Sequence, residues 1–217
     1  MNNNLTEIVF ILDRSGSMAG LEADTIGGFN GMMDKQRGEP GEALVSTVLF
    51  DHETQVVHDR VPLDRVAPLD RETYFVRGTT ALLDAVGGAV RHIANVHKYA
   101  RPEDRPEKTL FVITTDGMEN ASRRYTYEQV KAMIQRQREK YGWEFLFLGA
   151  NIDAAKEAGR FGIAPERAAD YCCDSRGTAL NFRAVGRVMG NLRASRPVEA
   201  NWREEIDRDF RARGRRG

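Results

Sequence analysis

The predicted strand from Leu5 to Leu12 contains the run IVFIL, which is apolar on both faces and is followed by Asp13. A strand that covers only one face of a sheet alternates apolar and polar residues, whereas a continuous apolar run is typical of a central strand with helices on both sides. The segment therefore predicts a sheet between two helical layers. Ligands of such sheets bind beyond the carboxyl ends of the strands, which makes Asp13 a candidate binding residue.

The rest of the chain alternates predicted helices and strands. Further strands are predicted at 44–51, 54–61, 109–116, 143–150 and 169–174, and helices at 19–36, 83–93, 125–140, 152–161 and from about 178. Only His52 and Glu53 separate the first two of these strands, which is the spacing of a hairpin. The pattern predicts an α/β fold with three layers, similar to a Rossmann fold. Its central sheet is mostly parallel, with one antiparallel edge strand and helices on both faces.

The composition indicates an ordinary globular protein. The 217 residues suffice for one domain, and the 32 basic and 32 acidic side chains balance. This balance gives no electrostatic reason to expect a membrane surface or nucleic acid as partner. The N-terminal sequence does not resemble a signal peptide, and no apolar run reaches the length of about 18 residues that a membrane span needs. Cys172 and Cys173 are adjacent, so we expect free thiols and a cytoplasmic protein.

The C-terminal segment differs in composition from the rest. We expect residues 1–197 to form the domain and residues 198–217 to be a charged, flexible tail that packs against nothing. The segment 208–217 has five arginines and one Asp. Such a run is usually solvated, and contact with nucleic acid or with an acidic partner is the alternative.

Polar side chains follow the first predicted strand at alternate positions. Asp13, Ser15 and Ser17 lie in the sequence DRSGS, and an extended loop would point their three side-chain oxygens the same way. A helix N-cap also favours Ser and Asp, so this motif alone does not identify a binding site.

Two more segments are expected at the same edge of the sheet. Asp116 ends the predicted strand TLFVITTD, and GTTAL places Thr79 and Thr80 near a helix start. Hydroxyls and two carboxylates suit a hard cation, so we expect Mg²⁺, with Mn²⁺ or Ca²⁺ as alternatives. No Cys or His lies at the spacing of a zinc site.

These motifs resemble the metal-ion-dependent adhesion site (MIDAS) of the von Willebrand factor A (vWA) domain family. The matching segments are DRSGS, GTTAL and TTDG, in the order of the family, and the resemblance covers about residues 5–195. It implies a metal site formed by Asp13, Ser15, Ser17, Thr80 (or Thr79) and Asp116. The Ser and Thr hydroxyls would bind directly, and the carboxylates directly or through water.

The resemblance also implies a function. The protein would be a non-enzymatic interaction module in which the metal accepts an Asp or Glu carboxylate of a partner protein. One alternative is a magnesium-dependent phosphohydrolase with an Asp nucleophile, but that class needs a second Asp where this chain has Ser15. The other is an RNA-associated vWA protein that uses the basic tail.

Three other polar residues near the predicted edge have simpler interpretations. Asp51 ends a predicted strand and is interpreted as a turn residue, with a supporting role at the metal site as the alternative. Glu119 and Asn120 follow Asp116 and are interpreted as a solvated loop, with an effect on partner choice as the alternative.

Overall fold

A six-stranded sheet forms the centre of the protein, as shown by a computed structural model that describes residues 2–213. The strands are β1 (Asn2–Asp13), β2 (Glu42–Phe50), β3 (Thr54–Pro62), β4 (Pro106–Thr115), β5 (Glu144–Gly149) and β6 (Ala168–Asp170). Their order across the sheet is β3-β2-β1-β4-β5-β6. Among the strands of residues 2–213, only the β2–β3 pair is antiparallel, which places the antiparallel strand at one edge.

Six α-helices in the described part of the chain cover the two faces. They are α1 (Glu22–Arg37), α2 (Leu82–Tyr99), α3 (Tyr127–Tyr141), α4 (Ala154–Arg160), α5 (Ser175–Arg193) and α6 (Glu204–Arg213). One apolar cluster joins α1, α5 and α6 to the sheet, and a second joins α2, α3 and α4 to the opposite face. No helix within residues 2–213 has both the length and the apolar character that crossing a bilayer requires.

β1 explains why both faces need helices. Ile8, Phe10 and Leu12 point into the cluster that contains α1 and α5, whereas Val9 and Ile11 point into the cluster that contains α2. All five side chains are at most 1% exposed. The predicted three-layer fold, with its mostly parallel sheet and antiparallel edge strand, is therefore confirmed.

The last strand is shorter than predicted. β6 ends at Asp170, so Cys172 and Cys173 lie in the following loop and not in the predicted strand 169–174. Both cysteines are free and partly buried. Asp174 then accepts a hydrogen bond from Gly177 N–H (2.8 Å) and caps α5, whose start the helical periodicity had placed a few residues too late.

The expectation that the C-terminal segment packs against nothing is wrong for residues 198–213. Trp202 and Ile206 are buried in the cluster of α1 and α5, and the Trp202 indole N–H donates to Glu166 O (2.9 Å). Arg213 pairs with Asp174 and with Asp209. A few apolar side chains and these ion pairs attach α6, although charged residues dominate its composition. Residues 214–217 of the predicted tail lie outside the described part of the chain.

The packing of α6 can be tested by removing one buried side chain. We expect Ile206→Ala to lower the free energy of unfolding by about 2–5 kcal/mol, because it leaves a cavity under α6. Arg211→Ala on the exposed side of the same helix should change it by no more than about 0.5 kcal/mol. Urea denaturation of both variants measures the difference, and equal stabilities would contradict the packing described here.

Candidate metal centre

The ends of β1 and β4 bring two carboxylates to the same edge of the sheet. The strands pair in parallel, with Leu12 beside Thr114. Asp13 and Asp116, at the ends of these strands, are both almost fully buried. Thr115 Oγ1 donates to Asp13 Oδ2 (2.7 Å), so a side chain of β4 orients the carboxylate of β1. Asp13 and Asp116 thus meet at the edge where the sequence predicts a site.

The loop after β1 adds two hydroxyls to this edge. Ser15 N–H donates to Asp13 Oδ1 (2.7 Å), and Ser15 Oγ lies 3.0 Å from Ser17 Oγ. Ser17 Oγ in turn donates to Asp116 Oδ1. The alternating pattern predicted an extended loop, but the segment Gly16–Met18 forms a turn of 3-10 helix instead. This turn brings Ser17 to Asp116.

Thr80 lies beside the same group of oxygens, whereas Thr79 is exposed to solvent. A Cβ atom at Gly117 would lie 3.6 Å from both Thr80 Oγ1 and Ser17 Oγ. Gly78, two residues before Thr80, accepts a hydrogen bond from Gly16 N–H (3.1 Å) and so joins the two loops. The structure therefore brings Asp13, Ser15, Ser17, Thr80 and Asp116 together.

Gly78 has a backbone conformation that suits glycine. Its φ is +68°, and a Cβ at this position would lie 2.2 Å from His52 Nδ1. A larger residue would strain the backbone and collide with the imidazole ring. The glycine of GTTAL is therefore required for the approach of this loop to the end of β1.

Glu119 and Asn120 hold the Thr80 loop, which their interpretation as a solvated loop missed. Asn120 Oδ1 accepts from Thr80 N–H (2.9 Å), and Asn120 N–H donates to Thr80 O (3.0 Å). Glu119 Oε2 accepts from Leu83 N–H (2.8 Å) at the start of α2. Polar residues shortly after the end of β4 were the only sequence signal for these contacts.

An ion cluster centred on the buried Asp51 fixes the loops from behind. Arg14, between the first two site residues in sequence, donates through Nε to Asp51 Oδ2 (2.8 Å); these side chains are 1% and 0% exposed. Arg77 Nε reaches the same oxygen at 2.9 Å, and Ala81 N–H donates to Asp51 O at 2.7 Å. Asp51 is therefore not a simple turn residue. Its alternative interpretation as a supporting residue is the one that agrees with these contacts.

Asp51, His52 and Glu53 also place three ligand-type atoms within 4.8 Å of one another. His52 Nδ1 lies 3.0 Å from Asp51 Oδ1, and two arginines already neutralise the Asp51 carboxylate. A cation would have to compete with both guanidinium groups. We therefore consider this cluster a structural support of the neighbouring edge.

Two residues that the sequence did not point to contact Asp13 and Asp116. Tyr74 is buried, and its hydroxyl donates to the backbone oxygen of Asp13 (2.6 Å). The Cys173 thiol donates to Asp116 Oδ2 (3.5 Å). Spacing along the chain gave no sign of a thiol here, because Cys173 follows Asp116 by 57 residues.

Burial makes the charged forms of both carboxylates unfavourable. It raises the pKa of Asp13, although hydrogen bonds from Ser15 and Thr115 act in the opposite direction. It also raises the pKa of Asp116, against hydrogen bonds from Ser17 and Cys173. A cation between them would favour the ionised forms. Carboxylate and hydroxyl oxygens are also the donors that hard divalent metals prefer, so the residues present fit a divalent cation.

Comparisons with known proteins identify the fold. No family model and no curated protein matches the chain. It is similar to the solved structure of proximal thread matrix protein 1 from the mussel byssus with a zinc-occupied MIDAS motif. The identity is 14% and the TM-score 0.58, over 87% of this chain and 46% of that chain. It is also similar to a von Willebrand factor type A protein from Catenulispora acidiphila, with 16% identity and a TM-score of 0.56, over 85% and 42%.

A third similar structure is the manganese-loaded TRAP protein of Plasmodium vivax. The identity is 14% and the TM-score 0.53, over 84% of this chain and 74% of that chain. The chain spans less than half the length of the mussel and Catenulispora proteins. These similarities show that the chain has the fold of vWA domains. Its binding properties are argued from its own residues.

The raised pKa values of the two carboxylates predict a distinct pH dependence. For a carboxylate whose pKa is higher in the folded state, stability increases as the pH falls through that pKa toward the usual value of 3.8. Without metal, replacing both Asp13 and Asp116 by Asn should therefore stabilise the protein most at neutral pH, and the gain should shrink on acidification. Thermal unfolding over a pH series measures this difference.

Asp64→Asn, at an exposed carboxylate, serves as the control and should show no such trend. A gain from the double variant that is constant with pH would contradict the buried, unfavourable charge at this edge.

Proposed function

We propose that the protein is a non-enzymatic interaction module that binds a partner protein through a divalent cation held by Asp13, Ser15, Ser17, Thr80 and Asp116. The single observation that carries this proposal is the line of oxygens from Ser15 through Ser17 to Asp116, with Thr80 beside it. The likeness to structures with a zinc-occupied MIDAS motif and with bound manganese supports it.

The residue types determine what such a site would do. The hydroxyls of Ser15, Ser17 and Thr80 are neutral. Only the carboxylates of Asp13 and Asp116 can therefore offset the charge of a divalent cation. When bound, the metal supplies positive charge at the surface of the protein. A partner carboxylate gains Coulomb energy there that a neutral amide does not. We therefore propose that the partner contributes an Asp or Glu.

The exposure of the surrounding residues indicates the side from which a partner approaches. Gly16 and Ser17 are exposed, whereas Asp13 and Asp116 are buried below them. Met118, two residues after Asp116, is 61% exposed and is an apolar side chain that a partner could contact. We therefore propose that the partner approaches from the side on which Gly16 and Ser17 are exposed.

The metal we propose is Mg²⁺, with Mn²⁺ as the closest alternative. Oxygen donors favour both over zinc. The zinc in the mussel protein and the Cys173 thiol beside Asp116 make Zn²⁺ a necessary arm of any titration. Ca²⁺ tolerates larger and more flexible sites, and it is included for the same reason.

The two alternative functions have less support from the structure. A phosphohydrolase of the Asp-nucleophile class needs an acid two residues after Asp13, where Ser15 instead contacts Ser17. The RNA alternative depends on exposed arginines near the C-terminus. Arg208 and Arg213 on α6 are instead paired with carboxylates of the protein.

The free thiols Cys172 and Cys173 support our proposal that the protein acts in a reducing compartment such as the cytoplasm.

The metal site is tested by thermal unfolding in Mg²⁺, Mn²⁺, Ca²⁺ and Zn²⁺. A ligand that binds only the folded state stabilises it by about 1.4 kcal/mol at ten times its Kd. We expect Mg²⁺ or Mn²⁺ to raise the melting temperature and Asp13→Ala to abolish the increase. Thr80→Ala should weaken the increase, and the neighbouring Thr79→Ala should leave it nearly unchanged.

Two results would contradict this assignment. Melting temperatures that do not respond to several millimolar of any of the four metals would exclude the site. A larger effect of Thr79→Ala than of Thr80→Ala would mean that the wrong threonine has been assigned.

The role of a partner carboxylate is tested by affinity capture from the native cell with and without chelator. We expect one captured protein to be lost in chelator, in Asp116→Ala and after an essential Asp or Glu of that partner is changed to its amide. Capture with Asp64→Ala is the matched control and should be retained. A partner that still binds in chelator and to Asp116→Ala would show that the interaction uses another face.

A further inference from the structure

A groove lies between the C-terminal halves of α2 and α3, at the edge of the sheet where β4 and β5 begin. Its volume is about 450 Å³, within the range of roughly 300–1,000 Å³ that is typical of small-molecule sites. The candidate metal centre lies at the other end of β4, a strand of ten residues. At about 3.3 Å per residue, the two places are roughly 30 Å apart. The groove is therefore a separate feature of the molecule.

Five cationic side chains line this groove, and Glu107 is the only carboxylate that does so. The cations are Arg91 and Lys98 on α2, Arg136 and Lys140 on α3, and Arg105 before β4. We call this surface the basic groove. Within residues 2–213, none of the five cations forms an ion pair with a carboxylate.

This arrangement differs from the rest of the surface. The chain as a whole is neutral, and most arginines outside the basic groove contact carboxylates, as Arg183 and Arg187 do with Glu205. Like charges collected around one groove repel each other, and a bound anion would remove that cost. The basic groove therefore has positive charge available for an anion.

Favourable interaction with the C-terminal ends of helices explains only some of these five cations. Lys98 and Lys140 lie in the last turns of α2 and α3, where a cation stabilises the helix end. Arg91 lies two turns earlier in α2, so the helix end does not account for it. Arg105 lies outside the helices and donates through Nη2 to Ala100 O (3.3 Å), at the C-cap of α2. Arg105 Nε is buried and has no hydrogen-bond partner within the described part of the chain. That donor lacks the acceptor that a buried group normally finds.

The floor of the basic groove is formed by closely packed, mostly apolar side chains. Trp143 is 5% exposed, and its ring stacks on Phe111 with 5.4 Å between centroids and 15° between planes. The His97 ring meets the indole edge-on at 5.3 Å, and Met133 and Val90 complete the floor. An inorganic anion uses only the cations. A ligand with an apolar body uses the floor as well.

We propose that the basic groove binds a small organic phosphate of nucleotide size. Its phosphate groups contact the arginine and lysine side chains, and its organic part lies on the floor formed by Met133 and Trp143. A ligand with several phosphate groups offers enough anionic oxygens to contact several of the five cations. Arginine can bind two such oxygens at once. The proposal does not depend on the candidate metal centre.

The test uses ATP and inorganic triphosphate as probes, in the presence of chelator so that neither binds through a metal. Trp143 is the reporter in Trp202→Phe, since the chain has two tryptophans. Thermal unfolding of the unchanged protein is the second readout. We expect ATP to change the fluorescence saturably and to raise the melting temperature, and triphosphate to bind more weakly.

The double variant Arg136→Gln, Lys140→Gln removes two cations from the groove. We expect it to raise the Kd for ATP at least about tenfold, because the ligand loses roughly one charge-assisted contact. The matched control is Arg101→Gln with Lys131→Gln, which removes two exposed charges outside the groove. The control should retain ATP binding, and both variants should retain the stabilisation by metal.

Three results would overturn the proposal. One is the absence of any ATP effect on fluorescence and melting temperature. Another is an equal loss of binding in the groove variant and in the control, which would indicate a nonspecific charge effect. The third is equal affinity for ATP and triphosphate, which would show that the apolar floor takes no part.

Discussion

The position of β1 is the constraint on which the rest of the molecule depends. It pairs in parallel with β2 on one side and with β4 on the other, and its side chains are buried on both faces. A register shift of one residue would turn every apolar side chain to the opposite face. The end of β1, and with it Asp13, is therefore fixed relative to the end of β4. The hydrogen bond from Thr115 to Asp13 is a direct result of this pairing.

The loops at this edge are held by polar groups centred on the buried pair Arg14 and Asp51. Arg14, Arg77 and Asp51 join the loop after β1, the end of β2 and the segment before Thr80. Removing one partner of a buried pair of this kind typically costs about 3–5 kcal/mol, because the other charge remains without compensation. The same edge raises the pKa values of Asp13 and Asp116. The charge of Asp51 is thus balanced by Arg14 and Arg77, whereas the carboxylates of Asp13 and Asp116 would be stabilised in their charged forms by an added cation.

The sequence was most informative where local pattern decides the structure. The apolar run of β1, the hairpin of β2 and β3 and the alternation of strands and helices all predicted the observed architecture. The contacts that complete the candidate site join residues far apart in sequence: Thr80 meets Asn120, and Cys173 meets Asp116. Periodicity and spacing do not report such contacts. The attachment of α6 was missed because Trp202 and Ile206 lie among many charged residues.

The central claim is that Asp13, Ser15, Ser17, Thr80 and Asp116 together hold one divalent cation. Crystals soaked in Mn²⁺ and measured at a wavelength where manganese scatters anomalously test it directly. The account predicts one strong anomalous peak in contact with the oxygens of Ser15, Ser17 and Thr80 and near both carboxylates, and no such peak in crystals of Asp13→Ala. A peak at Asp51, His52 and Glu53 instead, or no peak at either place, would contradict it.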